Sequence, residues 1–327
     1  MSEPAISSRQ SEEAADQIAR LAAEIGKRVL GQQAVIEQVL TALIAGGHVL
    51  VEGVPGLGKT LLIRTLSRAI SARFARIQFT PDLMPSDITG HAILDMRTQQ
   101  FEIRRGPIFC HLLLADEINR APAKTQAALL EVMQEMQVTI EGRSFALEPP
   151  FLVMATQNPL EQEGTYPLPE AQIDRFLLKV RMDYPEGDDE IALVSEVTSH
   201  CLGEKLNIDG VEARLTPVQI IALQELAAKV RADREIVDYA VRIVRQTRRS
   251  DRLLYGAGPR GSIALIRAAK AQALVNGNPF VVPDDIKAVA TAVLRHRLSL
   301  TPDQEIEGAG VDDVIARVLE EVEVPRR

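Results

Sequence analysis

The segment His48-Val-Leu-Val-Glu-Gly-Val-Pro-Gly-Leu-Gly-Lys-Thr60 decides how this chain is read. Val49 to Val51 is an apolar run of the kind that forms a buried strand. A loop follows, Gly53, Val54, Pro55, Gly56, Leu57 and Gly58, and it closes on Lys59-Thr60. Leu61 to Ile70 then carries a helical pattern. Strand, glycine loop, Lys-Thr and helix in that order make a P-loop in its proper context. Glycines let backbone N–H groups converge on a polyphosphate, and the positive end of the helix supports the negative charge. Gly53 to Leu61 is therefore the expected nucleotide-binding stretch. Lys59 is expected to reach the terminal phosphates, and the Thr60 hydroxyl to ligate Mg2+.

At 327 residues the chain is long enough for one large domain and one small one. With 46 % hydrophobic and 25 % charged residues, its composition is that of an ordinary soluble globular protein. No apolar run reaches membrane-spanning length. The first twenty residues are polar and acidic, with no signal-peptide core, which points to the cytoplasm. A net charge of −8 argues against a surface built for nucleic acid, although a local basic patch stays open. Cys110 and Cys201 each neighbour a histidine (His111, His200), but a lone Cys-His pair is packing more often than a zinc site.

Residues 1–15 read as a disordered N-terminus, and the periodicity from Asp16 to Ala45 as two helices. The apolar turn between them, Val29-Leu30-Gly31, is placed either to sandwich a nucleotide base or simply to join the helices. After the P-loop helix, Phe74 to Phe79 reads as a second strand. Ile93 to Met96 and Phe101 to Ile103 pair as a hairpin within an insertion over 80–106. Then Leu112 to Ala115 runs into Asp116-Glu117. An apolar strand delivering two carboxylates about sixty residues after a P-loop has the Walker B form. Asp116 is expected to hold Mg2+, and Glu117 to act as general base on the attacking water.

Asn119-Arg120-Ala-Pro122 opens a helix, Ala123 to Met136, and a second hairpin follows over 138–147. The strand Phe151 to Ala155 ends in Thr156-Gln157-Asn158-Pro159. Asn158 is placed to orient the lytic water, or is a turn asparagine before proline. Glu170 to Phe176 is a short helix leading to a fifth strand, Phe176 to Met182. Arg175 at its end either forms an ion pair with Asp174 or projects to a neighbouring subunit's γ-phosphate. A polar link from Tyr184 closes an α/β core over 16–184. Residues 185–214 read as a linker, 215–300 as a small all-α lid whose one strand signal is Pro279 to Pro283, and 301–327 as a tail. Ser262 reads as a helix start with Arg260 at its entry, where a cation opposes the helix dipole and so points to an external anion. The arginines from Arg242 to Arg252 read as a solvated helical face, with an acidic partner as the alternative.

These residues together resemble the AAA+ ATPases, and within them the MoxR family. The likeness runs from about Gly26 to Leu300. It is most specific in Leu114-Ala-Asp-Glu-Ile-Asn-Arg-Ala-Pro122, Ala155-Thr-Gln-Asn-Pro159 and Glu163-Gly-Thr-Tyr-Pro-Leu-Pro-Glu-Ala-Gln-Ile-Asp-Arg-Phe176. The resemblance implies a P-loop NTPase fold, a five-stranded parallel sheet with helices on both faces, followed by the helical lid. It implies hydrolysis of ATP with Mg2+ in a homo-oligomeric ring, usually a hexamer, with sites at subunit interfaces. Gly53 to Thr60 match Walker A, Asp116-Glu117 match Walker B, Asn158 matches sensor 1 and Arg260 matches the lid arginine called sensor 2. Arg175 is the best match for the trans-acting arginine finger, with Arg120 a weaker rival. The two hairpins either face a central pore, as in similar proteins, or only decorate the sheet. MoxR-like proteins are thought to act as chaperone-like machines, often with a partner bearing a von Willebrand factor A domain, whose metal site or complex they help assemble.

The expected mechanism is in-line attack of water on the γ-phosphate. Lys59 and Mg2+ neutralise charge, Glu117 activates the water, Asn158 positions it, and Arg175 and Arg260 stabilise the transition state. Two other classes compete. A nucleic-acid motor would use Arg97, Arg104, Arg105 and Arg143 in its hairpins. A nucleotide-gated scaffold would bind without essential turnover, and the intact Glu117 argues against it.

Overall fold

The computed structural model describes residues 6–159, 164–200 and 208–325. Two helices come first, Ser8–Gly26 (α1) and Gln33–Ile44 (α2). α1 starts at Ser8, not at Asp16, so residues 8–15 are ordered where disorder was expected. The cause is a capping box. Ser7 Oγ accepts from the Gln10 N–H at 3.3 Å, and the Gln10 side chain accepts from the Ser7 N–H at 3.0 Å. Ala14 is buried on the same helix face as Ile18, Leu21 and Ile25, and Ile6, just ahead of the cap, is buried in the same cluster. The acidic composition of this stretch belongs to the other face, which hid an amphipathic helix.

The P-loop strand Val49–Glu52 (β1) leads to the helix Lys59–Ala69 (α3) and to Phe74–Gln78 (β2). A short helix, Pro85–Thr89 (α4), and the antiparallel hairpin Gly90–Asp95 (β3) with Gln100–Arg105 (β4) form the expected insertion. Leu112–Asp116 (β5) is the Walker B strand, followed by a 3-10 turn at Ile118–Arg120 and the helix Ala123–Glu135 (α5). A second hairpin, Gln137–Ile140 (β6) with Arg143–Ala146 (β7), turns on Glu141-Gly142 alone. Both turn residues have positive φ (48° and 74°), as a two-residue hairpin turn of the primed type needs. Leu152–Gln157 (β8), the short helix Glu170–Ile173 (α6) and Leu178–Arg181 (β9) complete the core.

The main sheet has the order β2-β5-β8-β1-β9, and every pairing in it is parallel. Its inner strands are covered on both faces, which is why they read as unbroken apolar runs with no alternation. One face packs against α1, α2, α3 and the lid through Val49, Val51, Leu112, Leu114 and Met154. The other packs against α5 and the second hairpin through Leu50, Leu113, Ala115, Val153 and Leu129.

The remaining elements are Gly187–His200 (α7), Pro217–Lys229 (α8), Arg234–Thr247 (α9), Leu253–Tyr255 (β10), Pro259–Val275 (α10), Pro283–Leu294 (α11), Ser299–Leu300 (β11), Pro302–Ile306 (α12) and Val311–Glu321 (α13). Three expectations change here. The lid's strand pair is β10 with β11, and Pro279 to Pro283 makes only a single bridge, Arg231 to Phe280. α10 begins at Pro259, not Ser262, because proline suits the first helical position and Gly258 supplies the extended cap. Arg260 therefore lies inside the first turn. The stretch read as a tail is part of the lid: Val314, Ile315, Val318 and Val322 are buried in the core shared with α9 and α11. Asp312 ties α13 to the sheet edge, accepting from Arg181 at 3.1 Å and Arg295 at 3.0 Å.

Candidate active site

The P-loop needs its glycines for backbone reasons. Gly56 and Gly58 have φ of +89° and +87°, a region that side chains disfavour. A Cβ on Gly56 would meet nothing within 4 Å, so the backbone conformation and not crowding is what calls for glycine there. A Cβ on Gly53 would meet the Met182 carbonyl at 2.7 Å, so the loop's entry packs hard against the end of β9. Gly58 caps α3, and the first-turn N–H groups of Thr60 and Leu61 face out of the helix end. Lys59 Nζ donates to the Gly53 carbonyl at 2.6 Å and so lies across its own loop.

β8 joins the P-loop to the Walker B carboxylates. The Gly53 N–H donates to the Gln157 carbonyl at 3.3 Å. One residue earlier, Thr156 Oγ1 donates to Asp116 Oδ1 at 2.6 Å and accepts from the Glu117 N–H at 2.9 Å. Asn158 follows directly and is buried at the same strand end. Thr156 was given no role in the sequence, although it stands inside the quoted segment Thr156-Gln157-Asn158-Pro159. A hydroxyl two residues before that asparagine was the available signal.

Glu117 sits in the left-handed region, φ 56°, the strained position at which the chain turns off β5 into the 3-10 turn. Its Oε2 accepts from Gln78 Nε2 at 2.7 Å and from Arg120 Nη1 at 3.0 Å. Asp116 Oδ2 accepts from Arg76 Nη2 at 2.7 Å and Nε at 3.2 Å. Neither Arg76 nor Gln78 was foreseen. Both alternate with buried Ile77 on an edge strand, where a polar face reads as solvent-facing.

The Val29-Leu30-Gly31 turn lies on the flank of the loop. Gln32 Nε2 donates to the Asp183 carbonyl at 2.7 Å, one residue beyond the Met182 that abuts Gly53. Gly31 has φ +68°, and a Cβ there would meet Pro185 and Asp189 at 2.7 and 2.9 Å. Val29 is buried, and Leu57 and Leu61 pack on the same apolar cluster.

The arginines lie elsewhere. Arg175 and Arg260 line a cleft of about 390 Å³ with Arg267, Arg297 and Asp174. Its floor is Gly46, Gly47 and His48, at the amino end of β1, whereas the P-loop leaves the carboxyl end. The structure does not bring Arg260 to its own P-loop. The lid helices α8, α10 and α11 pack on α1, α2 and β9 in one apolar core, and three lid side chains add polar ties to this placement. Arg297, only 4 % exposed, donates to Asp174 Oδ1 at 2.7 Å and to the Phe176 carbonyl at 2.7 Å. His296 Nε2 lies 3.0 Å from that carbonyl, and Arg267 Nη2 donates to the Ala45 and Gly46 carbonyls at 3.0 and 3.1 Å. Asp174 therefore pairs with Arg297, and with Arg260 at 3.7 Å, not with Arg175. Arg175 Nη1 donates to the Leu130 carbonyl at 2.7 Å, and its Nε is buried with no hydrogen-bond partner.

The cysteine next to His111 is a packing residue. Cys110 is buried, its Sγ donates to the Leu112 carbonyl at 3.4 Å, and burial pushes its thiol up to about 12. The other pair, His200-Cys201, lies outside the described side chains, as do residues 160–163 of the family-specific loop. Among the described residues no helix is long and apolar enough to cross a membrane.

Residues 48–178 match the ATPase family associated with various cellular activities (AAA), and residues 245–318 match the AAA lid domain. The chain is 44 % identical over 314 residues to chaperone MoxR1 of Mycobacterium tuberculosis, covering 93 % of this chain and 81 % of that one. It is 47 % identical over 302 residues to the uncharacterized protein YeaC of Bacillus subtilis, covering 92 % of each. A crystal structure from Cytophaga hutchinsonii, of a protein assigned as an ATPase, superposes with a TM-score of 0.89 at 40 % identity, over 97 % of this chain and 98 % of that one. A P-loop and Walker B pair joined through one strand, an AAA core with its lid, and MoxR relatives along almost the whole length give one answer: the chain is an ATP-hydrolysing member of the MoxR family of AAA+ ATPases.

Proposed function

We propose that the protein is a magnesium-dependent ATPase that works as a ring, with each site completed by the next subunit, and remodels a protein client. One observation carries this reading. The P-loop and the arginine cleft lie at opposite ends of β1, so one chain holds two halves of different sites. A head-to-tail interface that repeats around a closed ring brings one subunit's cleft to the next subunit's P-loop. Arg175 and Arg260 are then the trans-acting cations, and Arg120, held on Glu117 at 3.0 Å, belongs to the cis half. A hexamer is the expected closure.

Within the cis half, the P-loop N–H groups and Lys59 hold the phosphates, and the Val29-Leu30-Gly31 turn contributes to the base pocket. The residues also fit Mg2+. Thr60 and Asp116 supply a hydroxyl and a carboxylate, the hard oxygen donors that magnesium takes together with nucleotide phosphates. Among the described residues no cluster of three or more His, Cys, Asp or Glu could hold a metal ion. When bound, Mg2+ neutralises charge on the phosphates. Glu117 takes the proton of the attacking water, and Asn158 orients that water.

The first hairpin is the feature suited to a client. Leu94 pairs with Phe101 across it, and Leu94, Met96 and Phe101 are 43 %, 81 % and 74 % exposed. An apolar tip on a two-stranded arm suits an unfolded or loosely held polypeptide better than a phosphate backbone. Arg105, a candidate nucleic-acid contact, instead lies over Phe109 and Phe145 at 5.0 and 5.8 Å from their ring centroids. The family resemblance adds a von Willebrand factor A domain protein as the partner class and metal-site assembly as its purpose, with the cytoplasm as the place of action.

Two measurements test the proposal. Turnover per subunit should rise with protein concentration, in step with assembly followed by light scattering. A Glu117→Gln protein should bind ATP, stay assembled and turn over at least a hundredfold more slowly, roughly the scale of a lost general base. Full turnover in a species that light scattering shows to be monomeric would overturn the shared site.

A further inference from the structure

Asp116 does not present an open carboxylate. Thr156 occupies Oδ1, and Arg76 spends both Nη2 and Nε on Oδ2, at 2.7 and 3.2 Å. The same guanidinium donates to Gln78 Oε1 at 2.7 Å, and Gln78 Nε2 donates to Glu117 Oε2 at 2.7 Å. Asp116, Arg76, Gln78 and Glu117 thus form one unbroken chain of hydrogen bonds. Its two middle members stand two residues apart on β2, so they share a face, and Gln78 pairs in register with Asp116. Asp116 is 14 % exposed on its side chain, whereas Arg76 is 48 % exposed on an edge strand, with open solvent to move into.

We propose that Arg76 is a magnesium gate, a positioning residue that occupies the metal-binding carboxylate of Asp116 until a divalent cation displaces it. The assignment rests on reading Asp116 as the magnesium carboxylate. Oδ2 cannot accept two guanidinium N–H groups and also face a hydrated cation. Two positive groups on one oxygen also repel strongly at such short range. Metal entry therefore requires Arg76 to leave. Its departure frees Gln78 Oε1 and loosens the amide that holds Glu117. One of the two holds on the general base thus loosens in the same event that seats the metal, leaving Glu117 on Arg120 alone, and nucleotide without metal leaves both carboxylates in the chain.

The test is nucleotide binding, not turnover. Fluorescent mant-ADP is titrated into wild type, Arg76→Gln and Arg76→Lys, first in EDTA and then over a series of Mg2+ concentrations. In EDTA the three proteins should bind alike. The Mg2+ concentration that half-completes the gain in affinity should fall roughly three- to tenfold in Arg76→Gln, the scale of one charge-assisted pair that is half open to solvent. Arg76→Lys, which keeps the charge and loses the fork, should lie between. Equal thermal unfolding midpoints exclude a folding defect, and Arg76→Lys carries the comparison if the glutamine variant is unstable. An unchanged or higher Mg2+ requirement in both variants overturns the gate. If Mg2+ does not tighten mant-ADP on wild type either, the reading of Asp116 as the metal carboxylate is what fails.

Discussion

The proposed shared site makes a quantitative prediction about mixed rings. β1 spans four residues, about 13 Å at the usual rise per residue, and the arginine cleft and the P-loop lie beyond its opposite ends. With Arg267, His296 and Arg297 holding the lid at the amino end, Arg260 cannot swing to its own nucleotide without unseating the lid. Lys59→Ala removes the cis half and Arg260→Ala the trans half. Each alone should be nearly inactive, since a trans-acting arginine is worth about 10³–10⁵ in rate. Now let equal amounts of the two exchange into common rings. A site is complete when its own subunit has Lys59 and its neighbour has Arg260, so random assembly restores about one site in four. A coupled-enzyme ATPase assay on the mixture should read close to one quarter of wild-type turnover per subunit. If Arg260 served its own P-loop, every subunit would lack one of two cis groups, and the mixture would be as inactive as its parts. An inactive mixture in intact rings therefore refutes the placement of Arg260 in trans. The same mixing with Arg175→Ala asks the question independently of the second arginine.

Two stability predictions follow from buried charge chemistry. His48 is buried with Nδ1 accepting from the Val153 N–H and Nε2 donating to the Met133 carbonyl, each at 3.1 Å; burial, with Arg267 nearby, lowers its imidazole to about 4. The unfolded chain binds its proton at about 6.5, so stability should be full above that and fall as pH drops towards 4, by up to roughly 3 kcal/mol; urea unfolding at pH 7 and 4.5 should show the smaller loss for His48→Gln. Arg297→Met takes the buried guanidinium away from the Asp174 carboxylate and from the carbonyls of Asp174, Phe176, Leu177 and Val293, of which Phe176 keeps His296. It should cost roughly 3 kcal/mol in urea unfolding, the low end for a broken buried pair, because Asp174 is 26 % exposed and keeps Arg260 at 3.7 Å. A loss under 1 kcal/mol would show that the lid is not held there.

Local chemistry was legible and long-range chemistry was not. The P-loop could be read because its parts are contiguous and each has a backbone reason, and the positive φ of Gly56 and Gly58 is that reason made visible. Both hairpins could be read because alternation and a turn signal lie within a dozen residues. Walker B was legible because an apolar strand buried on both faces must end where its carboxylates begin. The start of α1 was missed because Ser7 and Gln10, which cap it, look like any polar tail. The α13 packing was missed because four apolar residues at helical spacing say that a face exists but not what covers it.

The position of Arg260 shows the same limit within the site itself. Its sequence neighbourhood, Gly258-Pro-Arg-Gly, is enough to place it in the first turn of a helix and no more. Where that helix sits depends on the apolar core it shares with α1 and α2 and on Arg267, His296 and Arg297, none of which carries a motif. Each does ordinary work: a guanidinium or imidazole satisfies carbonyls at residues 45, 46 and 176, backbone groups that the sheet leaves unpaired just before β1 and β9. Unpaired carbonyls at strand entrances demand polar partners, and these lid side chains meet the demand. The lid is thereby seated at the amino end of the sheet, and the first turn of α10 comes with it to the mouth of a cleft that already holds Arg175. On the proposed reading, a requirement of backbone hydrogen bonding separates the two halves of the ATP site within one chain, and a second chain is what rejoins them.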